Sequence, residues 1–184
     1  MLLDIAAGMI GAMVAWGHSG SSSVSFLFLG VLLALLPDAD VFLSIFQSKR
    51  GGKYAHEHRN FLHYPLIYLA GGGLFLWFIS PRVALLFVAL SFFHFLHDSV
   101  GIGWGIQWLF PFSRNYFKFF ADKENNFSSR VFVWWTPAEL VAAVDRYGKD
   151  DWLERYYFHL HPVGIIEGIV FLVVAIYAFL VYLR

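Results

Sequence analysis

Cysteine is absent from this 184-residue chain. Disulfides and thiolate metal sites are therefore excluded, and any metal must be held by histidine, aspartate or glutamate. Charge is also scarce, with Asp, Glu, Lys and Arg making up 14% of residues against 59% hydrophobic ones. That is far from the balance of a soluble domain. Thirteen basic and thirteen acidic residues cancel, so no basic excess exists to neutralise phosphates, and nucleic acid is not expected as a partner. The N-terminus carries Asp4 in place of the basic region of a signal peptide, so the first apolar run is expected to be retained. The length suits one domain, and no internal repeat is visible.

What the chain does have is apolar runs. Five are present: Leu3 to Trp16, Val24 to Leu36, roughly Phe61 to Ile79, Val83 to His97, and Val163 to Leu183. Gly17 to Ser23 is an uncharged, turn-rich linker between the first two. Pro81 and Pro162 are placed to open the fourth and fifth helices. A full membrane crossing takes about 20 helical residues, and only the fifth run plainly reaches that. The expected fold is all-α: an integral membrane helical bundle of about five hydrophobic helices with a juxtamembrane helical segment. Within this single domain, residues 1–113 form the membrane-embedded bundle, 114–161 an amphipathic juxtamembrane segment, and 162–184 a C-terminal transmembrane helix.

With a cytoplasmic N-terminus and five crossings, the stretches Pro37–Asn60 and Ser99–Pro162 lie inside. They hold eleven of the thirteen Lys and Arg residues, as the positive-inside rule requires. From Arg114 to Trp135, aromatic residues interleave with Arg114, Lys118, Lys123 and Arg130. This mixture suits the lipid headgroup zone, or a small core beneath the bundle. Thr136-Pro137-Ala138-Glu139 reads as a capping box, with Gly148 as the helix stop. A further helix is expected from Asp150 or Asp151 through Trp152 to Leu160.

Four polar clusters interrupt the apolar chain: Asp4; Pro37-Asp38-Ala39-Asp40; His56-Glu57-His58-Arg59 with His63; and His94-Phe95-Leu96-His97-Asp98. Alternating helices bring all four to one bilayer face. His94 and Asp98, spaced i,i+4, share a helix face and can hold one ion, or simply steady the helix end as a hydrogen-bonded pair. Asp38 follows a proline-stopped helix and is the nearer ligand. Asp40 is open to binding a second ion or holding a histidine tautomer. His63 is expected beside Asp98 if the third and fourth helices form a hairpin. Arg59 offers a planar fork for an anion, or a positive-inside anchor. His97 points away from Asp98 and is a candidate supporting group, general base or surface residue. Asp4 suits the helix dipole. Glu167 is an acid inside an apolar run, a functional candidate by position. His18 falls at the opposite face and is set aside.

Leu36-Pro37-Asp38-Ala39-Asp40, His58-Arg59-Asn60-Phe61-Leu62-His63, Ser91-Phe92-Phe93-His94-Phe95-Leu96-His97-Asp98 and the later Gly103-Trp104-Gly105…Leu109-Phe110-Pro111-Phe112-Ser113 together resemble the YdjM-type family of bacterial and archaeal inner-membrane proteins. These are described as membrane-bound metal-dependent hydrolases, remotely similar to zinc-dependent phospholipase C and the single-strand zinc nucleases. The resemblance covers about residues 1–113. It implies a metal site of Asp38, His63, His94 and Asp98, with Asp98 able to bridge to a second ion. The family's Thr-His pair near the start of helix one is replaced by Leu3-Asp4-Ile5, which leaves two outcomes: Asp4 substitutes as the ligand there, or the second metal is lost. Its Thr-His-Ser reads Leu62-His63-Tyr64 here. The His-x-x-x-Glu pair of the remote relatives has no match, since His161 and Glu167 are six apart.

The function expected on these grounds is hydrolysis of a phosphoester, a lipid headgroup included, by a metal-activated water. The ion is zinc, with manganese as the alternative. The candidate general bases are His58, His97 and Asp40, and Arg59 is the candidate anion clamp. The partners are the lipid bilayer and a phospholipid or other phosphoester, at the cytoplasmic face of a prokaryotic inner membrane. The competing expectations are a non-catalytic membrane scaffold or interaction protein with the polar cluster as structural glue, and a transporter using Asp38, Asp98 and Glu167.

Overall fold

A computed structural model describes residues 1–17, 23–40, 62–101, 103–151, 154–159 and 161–182. The linker containing His18 and the stretch holding His56, Glu57, His58 and Arg59 lie outside the described residues. So do Lys49, Arg50 and Lys53, as well as Trp152, Leu160 and Arg184.

Five apolar helices form, with proline setting most of their starts. They are α1 (Leu2–Trp16), α2 (Ser23–Leu35), α3 (Pro65–Trp77), α4 (Pro81–Val100) and, near the C-terminus, α6 (Pro162–Tyr182). Pro65, Pro81 and Pro162 each take a first helical position, where a missing N–H costs nothing. Ser80 caps α4 by accepting from the Val83 amide. Pro37 forces the end of α2 into a 3-10 turn, Leu36–Ala39.

Glycine fixes the crossing of α1 and α2. A Cβ on Gly30 would lie 2.2 Å from the Gly8 carbonyl oxygen, and one on Gly8 would lie 2.6 Å from that of Gly30. Only hydrogen fits at either position, so the backbones touch directly, as small residues allow between membrane helices. Leu33 and Ala34 of α2 then pack on Leu86, Phe87 and Leu90 of α4. Gly72 of α3 lies against the Phe87 ring. The α6 helix rests on α1 and leaves Ile166, Ile169, Leu172, Val173 and Phe179 exposed, an apolar wall with no partner among the described residues.

The five crossings expected from the sequence are supported for two helices. Among the described residues, only α4 and α6 are long and apolar enough to span by length and composition. The others hold 15, 13 and 13 residues, and at 1.5 Å per residue the shorter ones reach only about 20 Å.

The juxtamembrane region also differs from a purely helical segment. Tyr116–Ala121 (β1) and Phe127–Trp135 (β2) pair antiparallel, with Tyr116 opposite Trp135 and Lys118 opposite Val133. Phe, Tyr, Trp and Val dominate both strands, and such residues suit a half-buried pleated surface better than a helix. Asp122 closes the connecting turn, its Oδ1 accepting from the amides of Glu124 and Asn126. Helix α5 (Pro137–Tyr147) follows with the full capping box of Thr136 and Glu139, and Gly148 ends it. Leu140, Ala143 and Val144 join Trp104, Tyr116, Val133 and Trp135 in a small second core. Of the helix expected after Asp150, the described part is a π-helical turn, Glu154–Phe158. The hairpin hangs from the end of α4, where the Trp108 indole donates to Ser99 Oγ at 2.7 Å.

Candidate metal centre

Five helix ends meet at one end of the bundle: the starts of α1, α3 and α6 and the ends of α2 and α4. Asp4, Asp38, Asp40, His63, His94, His97, Asp98 and Glu167 gather there. The chain's local geometry delivers each one. The 3-10 turn after α2 puts Asp38 and Asp40 on different sides. His63 precedes Pro65 by two residues, and Tyr64 between them is non-helical, as the residue before a proline tends to be. On α4 the i,i+4 spacing turns His94 and Asp98 to one side.

Four atoms converge. His63 Nε2 lies 3.1 Å from Asp98 Oδ2 and 3.7 Å from Asp38 Oδ1. His94 Nε2 lies 3.5 Å from Asp38 Oδ1 and 3.7 Å from Asp98 Oδ2. Donor atoms of Asp38, His63 and His94 all fall within 4.8 Å of one another. Ligands at 2.0–2.2 Å around a tetrahedral ion are separated by about 3.3–3.6 Å, so the four nitrogen–oxygen separations lie close to the edges of such a polyhedron. Most of the contacts are too long for good hydrogen bonds. Neither ring nitrogen of His94, though buried, makes a hydrogen bond. Two imidazoles and two carboxylates with no sulfur are a donor set suited to zinc or manganese. The residues present therefore fit a divalent ion.

The surroundings hold the donors in place. His63 is fully buried, and its Nδ1 lies 3.0 Å from Asp40 Oδ2. When the ring gives up a proton, that contact favours keeping the one on Nδ1 and turns the Nε2 lone pair to the centre. Burial works against charge on the His63 ring, but Asp38, Asp40 and Asp98 outweigh it and push its pKa up to about 10. Phe95, also fully buried, packs edge-on against both His63 and His94. Asp38 is the most open of the four donors, its side chain 32% exposed against 11% for Asp98.

Asp4 and His97 sit behind this centre. Asp4 is buried, with Oδ1 3.5 Å from His94 Nδ1 and both oxygens within 3.2 Å of His97 Nδ1. His97 Nε2 meets Glu167 Oε1 at 3.2 Å. The Met1 amine touches Asp4 and Glu167 at 3.0 and 3.4 Å. His97 thus has both nitrogens engaged away from the centre, and Asp40 faces the far side of His63. His159 and His161 bond to their own neighbourhood, the Glu154 carbonyl and the Val163 amide. The sequence singled out Glu167 as the lone acid of its helix but supplied no partner for it, because nothing in the spacing links α6 to His97 on α4.

The family model of the YdjM inner membrane protein matches residues 5–184. No curated protein and no solved structure gives a match.

Proposed function

The chain belongs to the YdjM inner membrane protein family, and from that premise we propose that it is a membrane-bound metal-dependent hydrolase of phosphoesters. Asp38, His63, His94 and Asp98 would hold the ion. One observation carries this reading: two imidazole nitrogens, delivered with two carboxylates by three separate stretches of chain, each stand 3.1–3.7 Å from both carboxylate oxygens. When bound, a divalent ion such as zinc supplies a Lewis acid and lowers the pKa of a coordinated water toward neutrality.

The protein's own groups do the rest. Asp40 fixes His63, and Asp4 stands behind His94, so both are assigned supporting roles. His97, committed to Asp4 and Glu167, is assigned with them. Asp38 is the exposed side, where a substrate approaches. His58 and Arg59, in the stretch between Asp40 and His63, remain the proposed general base and anion clamp. A lipid phosphoester is the favoured substrate because the site lies among apolar helices, beside an aromatic hairpin. We place it on the cytoplasmic face, since eleven of thirteen Lys and Arg residues fall in the two segments on that side.

The test begins with metal analysis of purified protein. Stoichiometric zinc or manganese is expected in the wild type and its loss in His94→Ala, together with loss of phosphoester cleavage in lipid vesicles. A metal-free and equally stable wild type would sink the reading. One observation favours a second reading, a non-catalytic scaffold: His63 has a carboxylate at each ring nitrogen, 3.0 and 3.1 Å away, so its protonated ring can clamp the helices unaided. In that case Asp98→Asn keeps fold and cellular role, whereas the hydrolase loses metal and activity.

A further inference from the structure

The α6 helix contains a single acid, Glu167, within an otherwise apolar 21-residue segment. It is 3% exposed. An acid in such a helix is expensive to bury and is kept where it has work to do. None of the four converging donors belongs to it, so its work lies elsewhere.

Its contacts trace a chain through three helices. The Tyr157 hydroxyl donates to Glu167 Oε1 at 3.3 Å. From there the path runs to His97 Nε2 at 3.2 Å, and from His97 Nδ1 to Asp4 at 3.1 Å. It ends where Asp4 Oδ1 faces His94 Nδ1 at 3.5 Å. The opposite nitrogen of His94 looks into the centre. His63 has the same arrangement in a shorter form, with Asp40 directly behind it.

We propose that Glu167 is a positioning residue for the metal centre, acting through His97 and Asp4 to set the orientation of His94. This rests on the metal-site reading above. The chemistry is specific. To bind through Nε2, His94 must keep its proton on Nδ1 and direct it at an acceptor. Asp4 Oδ1 is the oxygen placed to become that acceptor: it stands 3.5 Å from Nδ1, a small ring turn short of a hydrogen bond, and the carboxylate is kept there by His97, which contacts both of its oxygens, and by the Met1 amine. His97 in turn has its ring plane fixed at the far nitrogen by Glu167. The C-terminal helix, which brings no ligand, thereby determines how well a ligand on α4 is aimed.

The experiment uses full-length protein in detergent or nanodiscs, loaded with cobalt(II) as a spectroscopic probe and with zinc in competition with a chelator. Glu167→Gln should weaken zinc binding by about 10- to 100-fold and change the visible cobalt spectrum, while leaving the unfolding midpoint of metal-free protein near wild type. Combined with Asp4→Asn it should add little to the loss from Asp4→Asn alone, as expected for residues acting in one chain. His97→Gln breaks the same chain one step nearer and should behave alike, which keeps the test open if Glu167→Gln does not fold. Wild-type affinity and spectrum in these variants, or full additivity with Asp4→Asn, overturns the proposal alone, provided wild type binds metal and His94→Ala does not. A wild type that takes up neither ion overturns both this proposal and the metal reading.

Discussion

Asp40 shows how much one buried carboxylate decides. It holds His63 Nδ1 at 3.0 Å and so selects which nitrogen looks inward. Asp40→Ala is expected to lower zinc affinity by about 10- to 100-fold, measured by chelator competition, without removing any donor from the centre. His63 itself predicts a pH dependence. With its pKa pushed up to about 10, the ring is protonated at neutral pH before metal arrives, so binding must expel that proton. Zinc affinity should climb with pH, and calorimetry in buffers of different ionisation enthalpy should detect the proton released. The metal-free protein runs the other way. A raised folded-state value stabilises fully below the ordinary histidine pKa of about 6.5, and the contribution is lost as pH rises through about 10. At this scale much was legible in the sequence. The i,i+4 spacing of His94 and Asp98 and the proline after Leu36 announced donors at helix ends. That His97 turns away from Asp98 was legible from the helical period, but its partners were not, because they sit on α1 and α6, far away in sequence.

At the scale of elements, the α1–α2 crossing is the most demanding contact in the bundle. Gly30→Val would drive a side chain into the Gly8 carbonyl, 2.2 Å from where its Cβ must go. The helices would have to part, at a cost of at least about 1–3 kcal/mol, seen as a lower midpoint in denaturant titration of the detergent-solubilised protein. Metal binding should weaken as well, since α1 carries Asp4 and the turn after α2 carries Asp38. The hairpin supports a different prediction. Phe127, Val131, Phe132 and Trp134 are exposed on a structure tied to the end of α4, where aromatic residues favour the lipid headgroup layer. Because the chain has no cysteine, Phe132→Cys can carry a single nitroxide label. In vesicles that label should be relaxed more by oxygen than by a water-soluble nickel chelate; preference for the chelate would place the hairpin in bulk water. The strands escaped a sequence reading that attended to charge and aromatic content, although the Val- and Phe-rich runs around Asp122–Asn126 were a hairpin signal. The small core beneath them was one of the two outcomes anticipated.

For the whole molecule, alternation of apolar rods was enough to forecast that distant acids and imidazoles would share one end. The number of rods able to span was not legible, since helix ends depart from run ends in both directions: Val83 to His97 grows into α4, Pro81–Val100, while the third run shrinks. Phe61 to Ile79 reads as one long run, yet α3 covers only Pro65–Trp77. His63 makes up the shortfall by leaving the helix: an extended residue advances about 3.3 Å, twice the helical rise, so two residues of non-helical chain bring it level with Asp98 on the longer α4.

That inequality of lengths bears on the surrounding lipid. A hydrocarbon layer about 30 Å thick meets full-height walls at α4 and α6 and walls of about 20 Å at α2 and α3. With α2 and α3 in the bilayer, as the proposed membrane enzyme has them, lipids beside the short flank would thin to follow it, and their phosphates would sink toward the level of Asp38. For the phosphoester hydrolase proposed above, such a dimple would lower the scissile group of a phospholipid to the donors without lifting the lipid out of its leaflet.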